Sequence, residues 1–474
     1  MTLGSIDQLC ILSVLDSIYS LIWGMPFLLL LIGVSLYFTI RLRALQFRYL
    51  PYALKLSLFG DSSVKKEGDG DISHFQSLMT ALAASIGIGN IVGVATAVAI
   101  GGFGALFWMW VMALLGMATK FAEAVLAVKY RELDENGEMC GGPMYYIRNG
   151  LRWHKFAGIF AIFGAIGAFG GGNMIQAHSV AHILQEQLGI SVWLSGGIMV
   201  FLAAVTLLGG IQSISRVASL LVPFMALVYI AGGLLVIFAN FTAIPTAFFM
   251  IFKAAFSGQA ATGGFAGASV MLALQVGLAR GLMSSESGLG SSPIAAAAAK
   301  TDLPGRQALV SMSGGFLATC IMCTITGLVL ALSGVVGQTG AEGELLNGAP
   351  LTVAAFQTVI PGAHWLVTGG LIFFAFTTIL GYAYYGEKCV EYLFGVRVIP
   401  FYRLLFIGMI LPGAVLRLDL VWRIADITNG LMAIPNLLAL IPLCGVVVKE
   451  SHILEETLKK EAKQEQMRKE PLPG

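Results

Sequence analysis

The sequence predicts an all-α polytopic membrane protein. Three observations lead there: a deficit of charge, apolar runs of helical length, and basic residues confined to alternate loops. Of 474 residues, 57% are hydrophobic and 11% charged, with a mean hydropathy of +0.83. Soluble domains carry about 25% charged residues, so most of this surface does not face water. Hydrocarbon offers the backbone no hydrogen bonds, which leaves helices or closed barrels. The apolar runs are about 20 residues or longer, whereas barrel strands need only about 9–11, so helices are expected.

Eleven membrane helices are expected, at about 23–40, 77–100, 104–130, 156–188, 192–209, 217–240, 264–300, 307–334, 365–393, 401–417 and 422–447. A short amphipathic stretch at 6–19 precedes the first. No Lys or Arg occurs in 1–38, so a secretory signal is not expected. Loop 41–76 carries Arg41, Arg43, Arg48, Lys55, Lys65 and Lys66, which places it inside the cell. The N-terminus is then outside and the polar tail, 451–474, cytoplasmic. Loops 131–155, 210–216, 300–306 and 394–403 also fall inside and hold most other loop cations. Lys253 stands alone in 241–263, and 335–364 has neither Lys nor Arg. The chain reads as one transmembrane domain over 1–450: an extra N-terminal helix in 1–42, a first repeat over 77–240 and a second over 264–447.

Two segments depart from ordinary spans: 80–90 (TALAASIGIGN) and 280–293 (RGLMSSESGLGSSP). Glycine costs a helix roughly 1 kcal/mol per position relative to Ala, so clustered glycines make local unwinding inexpensive. Broken helices at membrane depth are tolerated where they line a cavity or are packed in protein. Setting the first helix aside, the breaks fall in helices one and six of ten. Paired interruptions at matching places point to an inverted-repeat carrier with a site near the midplane.

At these residues the chain resembles the alanine/glycine:cation symporter family. The matching runs are 89–97 (GNIVGVATA), 107–110 (FWMW), 116–123 (GMATKFAE), 141–146 (GGPMYY), 172–176 (GNMIQ), 288–300 (GLGSSPIAAAAAK) and 386–389 (GEKC). The resemblance spans about 20–450. It implies a leucine-transporter-type core of five plus five inverted helices, and sodium-driven uptake of alanine or glycine. Ile88, Ser285, Ser287 and Tyr382 depart from the family pattern in or beside the expected pocket. They leave the admitted side chain open, D-alanine included.

A zwitterionic amino acid needs donors for its carboxylate and acceptors for its ammonium; helix ends at a break supply both. Gly87 and Gly89 let backbone approach a ligand. Asn90 is expected either to touch the ligand or to brace the break. Asn173 and Gln176 share a helix face; their amides suit a bound amino acid or hydrogen bonds between helices. The resemblance favours Gln176 as a contact. Thr377 and Thr378 hydroxyls, with carbonyls from Ala84 to Gly87, resemble a sodium site of this fold, since hard cations take oxygen ligands. Tyr382, one turn beyond Thr378, is expected to wall the pocket. Arg280 and Glu286 bracket the second break as a gate or structural pair, and Lys120 is expected to pair with Glu123.

Cys320 and Cys323 form a CxxC inside an apolar helix and read as packing residues. No metal is expected beyond sodium, and no cofactor. Walker, HExxH and GxSxG motifs are absent from the sequence, which disfavours an enzyme or ATP-driven pump. Nucleic acid is not an expected partner; the small neutral amino acid, sodium and the bilayer are, with the monomer as the working unit. The rivals are a proton-coupled carrier using His178 or Glu286, and a channel or transporter-like receptor.

Overall fold

The computed structural model describes residues 14–59, 69–257, 270–340, 343, 345–416 and 419–469. Residues 6–13 of the expected amphipathic stretch, Lys65, Lys66 and the first six residues of the span expected at 264–300 lie outside them. Among the described residues, eight helices are long and apolar enough to cross a membrane, and five apolar helices are shorter.

Residues 14–22 are helical and lead through a short turn into α1 (Met25–Arg41), which opens with Pro26 in its first turn, where a missing N–H costs nothing. After two short helices, α2 (His74–Ser85) begins with a capping box between Ser73 and Gln76. It stops at the SIGIGN run, and the chain resumes as α3 (Val92–Gly101). The glycine cluster therefore does break the helix. Next comes α4 (Gly104–Lys129), the buried axis of the molecule; 83% of its most apolar window is shielded by protein. Strands β1 (Glu132–Leu133) and β2 (Met139–Cys140) pair antiparallel, Glu132 opposite Cys140. They lead into α5 (Pro143–Leu151).

Helix α6 (His154–Leu188) contains a π-helical turn at Gly170–Met174. It is followed by α7 (Val192–Leu207), α8 (Gly210–Ala239) and α9 (Ile244–Ser257). The expected loop 210–216 is thus the first two turns of α8, and the expected loop 241–263 holds α9. The second break separates α10 (Val270–Ser285) from α11 (Ser292–Ala297). The single span expected at 264–300 is therefore two pieces. Helix α12 (Pro304–Ser333) carries a second π stretch at Phe316–Cys323. Then come α13 (Gly348–Gln357), inside the expected loop 335–364, and α14 (Ala363–Phe394). Helix α15 (Val396–Val415) follows, and α16 (Asp419–Lys469) closes the chain.

The stretch expected to be a solvated tail is the last part of α16. Glu450, Ser451 and Leu454 are buried on its inner face. Three ion pairs hold this part down: Lys129–Glu450 at 2.9 Å, Arg48–Glu455 at 3.0 Å and Arg306–Glu461 at 2.7 Å. Arg306 is fully buried and also meets Asp302 at 3.0 Å. A polar composition concealed this, because the contacts are with residues far away in sequence, at or near the ends of other helices.

The two kinds of pair differ in worth. Breaking a buried pair by removing one partner costs about 3–5 kcal/mol, while half-exposed pairs contribute about 1 kcal/mol or less. Arg306→Met is therefore expected to lower the melting temperature of the detergent-purified protein clearly. Arg48→Ala, at a side chain 44% exposed, should barely move it. Thermal-shift size-exclusion chromatography checks both.

Candidate functional site

The first break turns on Gly87 and Asn90. Gly87 is extended, and Ile88–Asn90 form one 3₁₀ turn. A Cβ on Gly87 would lie 2.5 Å from the Thr378 hydroxyl, whereas one on Gly89 would meet nothing within 4 Å. So Gly87 is required by the approach of α14, and Gly89 borders open space.

Asn90 is fully buried and joins both breaks. Its Oδ1 accepts from the Gly87 N–H at 3.3 Å. Its Nδ2 donates to Ser284 Oγ at 2.9 Å and to the Ala318 carbonyl at 2.8 Å. Ser284 belongs to the last turn of α10, and Ala318 to the π stretch of α12. Thr326 donates to the Asn90 carbonyl at 3.0 Å. Cys323 of the CxxC lies on the same cluster, with Sγ 3.1 Å from Ser284 Oγ. Of the two roles expected for Asn90, its hydrogen bonds are those of a brace.

The α14 residues divide. Thr378 donates to the Ala83 carbonyl at 3.0 Å and to Phe374 at 2.8 Å, so its hydroxyl lies against the end of α2. Ala84 is buried beside Gly381 of the same helix. Thr377 turns the other way, onto the Phe374 carbonyl and Met225 of α8. Tyr382 packs on Gly172 of the π turn in α6 and edge-on against Tyr385 at 5.5 Å.

The α6 amides also divide. Asn173 Nδ2 donates to the Phe406 carbonyl of α15 at 2.6 Å. Gln176 Nε2 donates to the Gly171 carbonyl at 3.0 Å. The side-chain oxygens of both are buried without a hydrogen-bond partner, leaving each one acceptor to offer. His178 stacks on His182, with ring centroids 3.8 Å apart.

The charges do not pair as expected. Arg280 faces Asp426 of α16 at 4.0 Å and lies over Trp422, so it does not pair with Glu286. Glu286 sits in the left-handed region, φ 53°, fully buried at the second break. The hydroxyls of Tyr382, Ser291 and Tyr385 lie near its carboxyl, but neither carboxyl oxygen makes a hydrogen bond. Glu123 accepts from Asn436 at 2.5 Å and from the Gly288 N–H at 3.3 Å. Lys120 Nζ donates to the Ser285 carbonyl at 2.7 Å. The expected Lys120–Glu123 pair is replaced by separate contacts with the same loop. The i, i+3 spacing was legible; the loop between them was not. Asn436, a lone amide in an apolar run, is the residue that sequence reasoning missed.

A cavity of ≈ 10 Å³, room for about one water, lies between Ser291, Tyr382, Tyr385 and Asn429. At the hairpin, Asp134, Cys140 and Glu391 offer a metal-like set of ligand atoms. Lys388 already fills it: its Nζ is 2.8 Å from Glu391, 3.4 Å from Cys140 Sγ and 3.8 Å from Asp134. Among the described residues this is the one such group of His, Cys and acidic side chains, and an ammonium stands within it.

Long apolar helices around two interrupted ones, with oxygens converging at the breaks, define a multi-pass membrane carrier. The sequence matches the profile of the Sodium:alanine symporter family over residues 8–469. It is 50% identical over 455 residues to the sodium/alanine symporter AgcS of Methanococcus maripaludis, covering 95% of this chain and 99% of that one. It is 51% identical over 451 residues to an uncharacterized transporter of Haemophilus influenzae, covering 94% and 97%. The chain belongs to the sodium:alanine symporter family and is a sodium-coupled amino-acid symporter. Its fold resembles MhsT in complex with L-phenylalanine, with a TM-score of 0.55 at 12% identity over 82% of this chain and 99% of that one.

Two outcomes follow from the packing of the first break. Gly87→Ala should destabilise the protein and Gly89→Ala should not, as read by thermal melting. Asn90→Ala, which orphans buried partners on both breaks, should cost about 2 kcal/mol or more, and Ser284→Ala combined with it should add little.

Proposed function

We propose that the chain imports a small neutral amino acid, alanine or glycine, together with sodium by alternating access. The observation that carries this reading is the Thr378 hydroxyl seated on the Ala83 carbonyl beside the Gly87 break. A helix C-terminus presents unsatisfied carbonyls and the negative end of its dipole. With a hydroxyl across from it, that end is a site for a hard cation. Sodium there, held by Thr378 and carbonyls from Ala84 to Gly87, fixes the broken backbone. Fixing it lowers the ordering cost of the amino acid, which is positive coupling between two sites.

The amino acid then binds between the breaks, with Gly87, Gly89 and Gln176 at its polar groups and Tyr382 limiting its side chain. Asn90 acts by bracing, and Asn173 by tying α6 to α15. The reading includes eleven crossings: the eight long helices, α7, and the two interrupted pairs α2/α3 and α10/α11. It also includes a five-plus-five inverted repeat behind α1, the N-terminus outside, the C-terminus in the cytoplasm, and a monomer in the cell membrane. One charge moving through 100 mV yields about 2.3 kcal/mol, and a hundredfold uphill gradient of amino acid costs about 2.8 kcal/mol. One sodium ion with its own gradient covers that difference.

Uptake by proteoliposomes should require a sodium gradient and persist at alkaline external pH. Uptake driven by a proton gradient without sodium would establish the proton-coupled alternative, and downhill flux alone would establish a channel. Thr378→Ala should raise the half-saturating sodium concentration about tenfold, the worth of about 1.4 kcal/mol. Thr377→Ala should change it by less than about threefold.

A further inference from the structure

The second break presents the same kind of carbonyl end as the first, at Ser285, the last residue of α10. There the carbonyl already has a cation. Lys120 reaches it from α4 at 2.7 Å, and its side chain is among the largest in the protein with essentially no exposure. Two carboxylates act on this ammonium through space without a direct ion pair, Glu286 in the break and Glu123 one turn along α4. The Lys120 stem passes Gly315 of α12 at ordinary contact distance, 3.5 Å from where a Cβ would stand, and Ser287 of the break packs so closely on Gly116 of α4 that a Cβ there would lie 2.7 Å from it. Glu123 is anchored separately by Asn436 and the Gly288 N–H, while both oxygens of Glu286 lack a hydrogen-bond partner.

We infer that the Lys120 ammonium is a tethered cation that occupies the second break in place of a transported ion, so that one sodium ion accompanies each amino acid. This rests on the sodium-coupled reading above. A fully buried ammonium on a packed stem cannot leave with the substrate. It supplies the positive charge that the carbonyl end of α10 and Glu286 require, without exchange with solvent. Only the first break, where a hydroxyl and carbonyls converge without a resident charge, then recruits sodium. Removing the ammonium leaves two carboxylates and a free carbonyl, the oxygen set that a hard cation takes. The lysine therefore also sets the stoichiometry by exclusion.

The test is the coupling ratio of the full-length protein in proteoliposomes, from initial fluxes of radiolabelled sodium and alanine and from the reversal potential. The wild type should carry one sodium per alanine with a hyperbolic sodium dependence; two per alanine overturns the inference while leaving the sodium-coupled function intact. No sodium dependence at all overturns the function instead. Lys120→Met should make the sodium dependence sigmoidal and lower uptake at limiting sodium roughly tenfold or more, because a buried charge partner has been removed. Lys120→Met combined with Glu286→Gln should return it to hyperbolic. A Lys120→Met protein that elutes as a monodisperse peak and keeps a hyperbolic dependence shows a merely structural lysine and overturns the inference. If Lys120→Met does not fold, the wild-type ratio decides alone.

Discussion

Unwound backbone inside a membrane must find its hydrogen bonds within the protein, and the rest of this structure follows from how two such breaks are satisfied. Asn90 does most of it. One side chain closes the 3₁₀ turn of the first break, reaches the last turn of α10 and takes the carbonyl freed by the π stretch of α12. The two breaks are consequently not independent. Any motion that opens one must rearrange the hydrogen bonds of the other, which is what a carrier coupling two ligands requires.

The breaks differ in how their charge is arranged. At the first, the Thr378 hydroxyl meets the Ala83 carbonyl at the end of α2. The second is filled by side-chain charges from α4 and fixed to α16 through Asn436. Tyr146 of α5 also donates to Asn436, so α4, α16 and, through Asn436, α5 hold the loop of the second break. Lys388 repeats the device at the hairpin, where an ammonium sits among ligand atoms that otherwise suggest a metal. In both places a lysine of essentially no exposure stands among oxygen or sulfur atoms that accept from it.

Much of the architecture was legible in the sequence, because hydrophobic length and glycine clustering are local signals. The breaks at 86–91 and 286–291 were marked by SIGIGN and SESGLGSS. Loop helices were less legible. Residues 244–257 and 348–357 are short and apolar, and lie where an outside loop was needed by the charge rule. The site was half legible. The sequence named Asn90, Gln176, Thr378 and Tyr382 as candidates, but not which way each points. Thr377 and Thr378 are neighbours of one type, and only packing against Met225 or Ala83 separates them. Charge pairing was the least legible, since Lys120 and Arg280 find partners 165 and 146 residues away.

The central claim is that sodium binds at the first break and fixes it. Hydrogen–deuterium exchange of the purified protein measures this directly, comparing peptides over 80–95 in sodium and in potassium at equal ionic strength. The account predicts slower exchange at 84–91 in sodium than in potassium, with a smaller change in the same direction at the 286–291 break, which Asn90 ties to the first. Equal exchange at 84–91 in both salts, or protection confined to 286–291, would contradict it.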